Sequence, residues 1–241
     1  MTTDPAPARN ALHSGFGGWK TALAAGLLGA VVGGGAVAYG SRQSVRDYLL
    51  ENPEVLPEAM DKLREREAAR TVSANRAALE TPFAGAWAGA ADGDVVLVEF
   101  FDYACGFCRK SNADVDRLLR EDPKLKVVWR EWPVLGPDSE AAARVSLAAA
   151  RAGRFKPFHD ALFAAGRPSA EAVAKARAAV ALGADLPPAA TDGELGRNFQ
   201  LARSLEASGT PTFVVGDQIF QGAVGFEALR DAVRKARASK T

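Results

Sequence analysis

Cysteine and histidine are scarce in this 241-residue chain, with two of each. That scarcity closes off several chemistries. A structural zinc site needs four ligands, and beyond Cys105 and Cys108 only His13 and His159 could contribute a nitrogen. Covalent haem attachment requires a histidine directly after the second cysteine, and Arg109 stands there. Net charge is also missing: 30 basic side chains against 29 acidic ones leave a formal +1. No basic cluster interleaved with aromatics occurs, so nothing points to nucleic acid. Long charge-free runs are absent but for one, Thr21 to Gly40. What remains is ordinary globular composition, 48% hydrophobic and 24% charged. The length suffices for one sizeable domain and additional segments.

The two cysteines fall together, in Cys105-Gly106-Phe107-Cys108. Before them runs Val95-Val-Leu-Val-Glu99-Phe-Phe101, a β-branched and apolar stretch that reads as a buried strand. After them a charged, helix-compatible segment starts at Arg109. Two cysteines spaced two apart between a strand and a helix read as a dithiol/disulfide pair. The placement suits the chemistry, because free N–H groups and the positive end of a helix dipole favour a thiolate at the helix start. Cys105 is expected to be the exposed nucleophile, and Cys108, one turn inside, the shielded resolving thiol. Gly106 and Phe107 carry no charge, so backbone and dipole are expected to tune the pair. An inert structural disulfide is the plainer alternative, but so short a loop makes a poor staple. Glu99, set in an apolar run, is expected to have a raised pKa if buried; strand alternation could instead turn it to the surface.

Glu99 through Cys108 resembles the active-site segment of thioredoxin-fold disulfide oxidoreductases of the DsbA type. A second matching segment is Gly209-Thr210-Pro211-Thr212-Phe213-Val214-Val215. The resemblance covers residues 93–241. It implies that Pro211 is cis and faces the dithiol, and that Thr210 offers backbone groups to an extended substrate. It also implies an apolar substrate-binding surface around Gly106, Phe107, Thr210 and Pro211. Glu99 would lie beneath Cys108 and move its proton. The implied fold class is α/β, a thioredoxin fold with an inserted helical subdomain at about 138–205. Local signals agree with that order: a helix over 109–120, a strand over 126–132, and a helix capped by Ser139. A hairpin follows across Gly216-Asp217, then a helix over 226–238. His159 lies in an aromatic segment of the insertion and is read as a packing residue.

Upstream, Thr21–Gly40 is about long enough to span a bilayer. Two readings stand: an uncleaved anchor in the inner membrane through residues 21–40, or a secretory signal cut after Ala36-Val37-Ala38. Residues 41–80 lack glycine after Gly40 and read as a helical arm. A break is expected at Asn52-Pro53, with Asn52 capping the second helix. Val45, Tyr48 and Leu49, then Leu56, Met60 and Leu63 recur at helical spacing. Arg46 to Glu54 resembles the N-terminal segment of ScsC-like proteins, DsbA relatives linked to copper tolerance, some of which are oligomeric through that segment. Residues 81–92 read as a linker.

Together these features suggest a periplasmic thiol:disulfide oxidoreductase or isomerase, tethered to the inner membrane or secreted. It would act on unfolded or misoxidised exported proteins and exchange electrons with a membrane redox partner. The arm over 41–80 could meet the catalytic domain, the membrane surface or a second copy in a homo-oligomer, or serve as a solvated spacer; no cofactor and no resident metal are expected. Two alternatives remain: a DsbA-like oxidase without isomerase activity, and a protein that binds Cu(I) through the same two thiolates.

Overall fold

The computed structural model describes residues 44–183 and 188–240; the charge-free segment read as an anchor or signal lies outside them. The chain divides into two compact units, Met1–Asp61 and Lys62–Thr241. In the first, helix α1 occupies 44–51 and is followed by a turn. Asn52 does not cap the next helix, as its neighbour Pro53 had suggested. Its backbone N–H and its side-chain amide both donate to the Tyr48 carbonyl, at 2.8 and 2.9 Å, and so finish α1. Helix α2 (Val55–Glu80) starts two residues after Pro53, once 3₁₀-type bonds from Val55 and Leu56 have closed the turn.

The second unit is built on a five-stranded sheet in the order β1-β3-β2-β4-β5. The strands are β1 (Trp87–Gly89), β2 (Val95–Phe101), β3 (Leu125–Glu131), β4 (Thr212–Val215) and β5 (Gln218–Gln221). Only β2 and β3 are parallel; β1 pairs antiparallel with β3, β4 with β2, and β5 with β4. β2 lies at the centre, which explains its continuous apolar run: a strand covered on both faces need not alternate. β3 is buried in the same way over Val127–Glu131. β1 lies within the stretch 81–92, where Ala86 is fully buried.

Helices cover both faces. Between β2 and β3 runs α3 (Gly106–Glu121). Between β3 and β4 come α4 (Pro137–Arg151), α5 (Phe155–Ala164), α6 (Ala170–Ala179) and α7 (Pro188–Ser204), the expected helical insertion. The chain closes with α8 (Phe226–Ala238). Leu97, Phe101, Val127 and Trp129 meet α3, α5 and α8 on one face; Val98, Phe100 and Val128 meet Val72 and Leu79 of α2 and Leu201 and Leu205 of α7 on the other. This is the thioredoxin arrangement with helices inserted between its halves. Ser139 is not the cap of α4. That helix starts at Pro137 after Gly136, whose φ is 120°, and Ser139 is buried in the first turn. Proline suits a helix start, since its fixed φ is helical and it removes one of the N–H groups left over there; no side-chain cap bond forms at Gly136.

A buried arginine joins α2 to the sheet. Arg130 pairs with Glu194 at 3.0 Å, and its guanidinium also donates to the carbonyls of Ala78, Leu79 and Thr81. Ala78 and Leu79 belong to the last turn of α2, which has no basic residue of its own there, and Thr81 directly follows the helix. At the other edge, Gly89 has φ +90°, and a Cβ there would sit 2.2 Å from the Leu125 carbonyl oxygen. We therefore expect Gly89→Ala to destabilise the fold by about 2 kcal/mol, through strained backbone and the displaced β1–β3 edge. Urea unfolding measures this, and an unchanged midpoint would show that the edge is looser than described.

Candidate active site

The dithiol sits where β2 turns into α3. Cys105 occupies the N-cap position, and its Sγ accepts the backbone N–H of Cys108 at 3.4 Å. The sulfur thus fills the role that a serine or aspartate oxygen has at other helix starts. Both thiols are free, but Cys105 is not the exposed thiol expected from the sequence: it is 6% exposed, because the cis-proline segment covers it, and Cys108 is 0% exposed. The Thr210–Pro211 peptide is cis, and the Thr210 carbonyl oxygen lies 3.2 Å from Cys105 Sγ, accepting from the thiol when it is protonated. Two segments a hundred residues apart are therefore joined at one sulfur. Phe107 stands outward, 67% exposed, and Gly106 has open space where a side chain would be.

The environment separates the two thiols. Cys105 is held down to about 5, chiefly by a hydrogen bond from the Cys108 side chain, with help from the Thr210 side chain and from the N–H groups of Cys108 and Phe107; partial burial opposes them. Cys108 is driven far above the usual thiol range by burial first, then by the hydrogen bond it gives Cys105 and by the nearby charge of Glu99. One cysteine is poised as a thiolate and the other keeps its proton. Glu99 is fully buried, and burial pushes its carboxyl up to about 8. The inward orientation is the one realised, not the surface alternative.

Two residues at this site carried no weight in the sequence reading. Asp102 ends β2, and its carboxylate accepts the N–H groups of Ala104 (2.7 Å), Val134 (2.8 Å) and Leu135 (2.9 Å). Its own carbonyl accepts Cys105 N–H at 3.0 Å. Asp102 thereby fixes the turn before the dithiol and staples to it the loop after β3, on which Val134 and Leu135 are exposed. An aspartate two residues before a turn N–H is a recognisable local signal. Trp129 had no such signal: its indole N–H donates to Glu99 Oε2 at 2.9 Å because the β2–β3 register places the two residues opposite each other. His159 packs among Phe101, Trp129 and Phe155, and burial holds it well below the usual histidine range, so it is neutral. Among the described residues no group of three or more histidine, cysteine or acidic side chains could hold a metal ion.

The Cys105 shift has a measurable consequence. Thiolate absorbance of the reduced protein should titrate with a midpoint of about 5, and this step should vanish in Cys105→Ser. The linkage follows in sign: the folded pKa lies below the unfolded one, near 8.5. The resulting stabilisation is fully present above the unfolded value and is lost as pH falls through about 5. Relative to Cys105→Ser, the reduced protein should therefore gain stability as pH rises across that window. A midpoint near that of a free thiol would refute the assignment.

The family model of the DsbA-like thioredoxin domain matches residues 96–234, and that of the copper resistance protein ScsC N-terminal domain matches residues 42–70. Among solved structures, a linker-deletion variant of Proteus mirabilis ScsC is 27% identical, with a TM-score of 0.69 over 86% of this chain and 97% of that one. A thioredoxin-like oxidoreductase from Silicibacter pomeroyi is 38% identical, with a TM-score of 0.60 over 63% of this chain and 91% of that one. The Na(+)/H(+) antiporter NhaA 3 of Salinispora tropica is 31% identical over 160 residues, which are 63% of this chain and 24% of the antiporter. The chain thus spans about a quarter of the length of the curated relatives it matches. The DsbA match takes in more than half of the chain, from β2 into α8 and with the dithiol inside it, so the chain belongs to the DsbA-like thioredoxin family and carries an ScsC-type N-terminal segment.

Proposed function

We propose that this chain is a periplasmic protein disulfide isomerase and oxidoreductase acting on unfolded or misoxidised exported proteins. The observation that carries the reading is the division of labour between a depressed Cys105 and a buried, protonated Cys108. A thiolate at neutral pH attacks a substrate disulfide; one substrate sulfur bonds to Cys105 and the other leaves as a thiolate. In isomerisation that freed thiolate attacks elsewhere in the substrate and later expels Cys105. When expulsion fails, Cys108 resolves the complex. Its proton passes to Glu99, its sulfur bonds to Cys105, and the substrate leaves reduced.

Substrate binding is assigned to Gly106, Phe107, Thr210 and Pro211. The exposed Phe107 ring, with Val134 and Leu135, offers apolar contact that reads no sequence, and the Thr210 backbone can pair with an extended segment. The arm suits an oligomeric isomerase: Val45, Tyr48, Leu50, Leu56, Met60 and Leu63 are all about half exposed or more. A stripe of that kind is usually covered by a partner, and a second copy through residues 41–80 is the partner we favour. Export follows from the chemistry, since a disulfide catalyst belongs in an oxidising compartment. Residues 21–40 would hold it at the inner membrane or direct its secretion, near a membrane redox partner. Among the described residues no helix is long and apolar enough to cross a membrane.

The deciding experiment is reactivation of a protein with scrambled disulfides by the full chain, with Cys105→Ser as control. Strong reactivation that depends on Cys105 is the expected result. Rapid oxidation of reduced substrate without reactivation would make the protein a DsbA-like oxidase. Failure of both, with stoichiometric Cu(I) held by the two thiolates, would overturn the reading in favour of metal binding.

A further inference from the structure

Glu99 is held on one side only. The Trp129 indole N–H donates to Oε2, while Oε1, equally buried, has no hydrogen-bond partner among the described residues. The indole cannot swing away freely. Its ring centroid lies 5.5 Å from Phe155 and 5.3 Å from His159, and the Lys156 ammonium lies 5.9 Å from it. Moving it would mean repacking α5 in a close-packed core.

An indole nitrogen can only donate. Oε2 therefore accepts from Trp129 whether or not Glu99 is ionised, and the proton of the neutral acid resides on Oε1. We propose that Trp129 is a positioning residue, which by holding Oε2 fixes the Glu99 carboxyl and reserves Oε1 for the proton exchanged with Cys108. The inference rests on the reading of Glu99 as the acceptor of that proton. The step balances: the Cys108 proton moves to Oε1, and the electron pair left on sulfur forms the bond to Cys105. The Cys105–substrate bond breaks, and its pair leaves on the substrate sulfur, which takes up a proton from solvent.

The surroundings leave Trp129 as the influence that favours the carboxylate. Cys105, and Asp116 further along α3, oppose ionisation through their charge, as does burial. Cys108, on the same helix, holds its proton. From α5, His159 is neutral, and Lys156 is engaged by Asp116 at 3.0 Å and Asp160 at 2.6 Å. Glu131 shares the β3 face with Trp129, and Tyr103 lies just beyond β2; burial keeps both uncharged.

Trp129→Phe retains an aromatic face and removes the donor. The readout is single-turnover release of substrate from the Cys105 mixed disulfide, in the full chain, from acid to alkaline pH. In the wild type the rate should rise with pH around a midpoint of about 8. In Trp129→Phe the midpoint should move up by about one pH unit, the worth of one hydrogen bond to a charged group, so release at neutral pH slows about tenfold and recovers in alkali. An equal loss at every pH, or an unmoved midpoint in a folded variant, would overturn the proposal. Glu99→Gln separates the two levels. If it abolishes the pH dependence while Trp129→Phe does nothing, only the role of Trp129 fails. If it leaves the profile intact, the reading of Glu99 itself fails. Should Trp129→Phe not fold, the Trp129 Nε1–H resonance of the wild type serves instead. It should titrate with Glu99, and a resonance that stays flat through that titration would overturn the proposal.

Discussion

The contact on which the rest depends is the hydrogen bond from Cys108 N–H to Cys105 Sγ at 3.4 Å. It makes a sulfur the cap of α3, so the N–H groups of the first helical turn join the Cys108 thiol, whose hydrogen bond holds Cys105 down most, in facing the atom that carries negative charge. Because Cys108 lies one turn inside the same helix, it is sealed off completely, while Cys105 at the helix start keeps a small opening to solvent. Opposite proton affinities in two identical side chains then need no cation nearby. Asp102 serves the same contact from the strand side, by fixing the turn that delivers Cys105 to the helix.

The central strand supplies the second constraint. β2 is covered on both faces, and its alternation assigns each residue to one of two tasks. Glu99 and Phe101 face α3 and α5, where the chemistry is; Val98 and Phe100 face α2 and α7 and hold the fold together. β3 repeats the division in register: Trp129 turns to Glu99, and its neighbour Arg130 turns the other way to finish α2. One strand thus ties the C-terminal end of α2 to the buried Glu99 without any side chain crossing the sheet.

Much of this was legible in the residues. A β-branched run before Cys-Gly-Phe-Cys located strand, turn and helix, and Gly209-Thr210-Pro211 located the distant partner of Cys105. The helix boundaries were less so. Asn52 can serve the end of one helix as well as the start of another, and only the geometry at Tyr48 chooses between them. Ser139 had a plausible cap position but lies within α4, because the helix already starts at Pro137, two residues earlier. Trp129 was out of reach for a different reason: its partner is set by the pairing of two strands twenty-odd residues apart, and register is a tertiary property. Asp102 lay between these cases, a local turn signal whose importance shows only when the loop after β3 comes back to it.

The central claim is that Cys105 alone is ionised at mildly acid pH. Its most direct test is alkylation of the reduced protein with a limiting amount of iodoacetamide at a pH one unit above the Cys105 value, followed by mass spectrometry of the active-site peptide. The account predicts a label on Cys105 and none on Cys108. Comparable labelling of both, or labelling of Cys108, would contradict it.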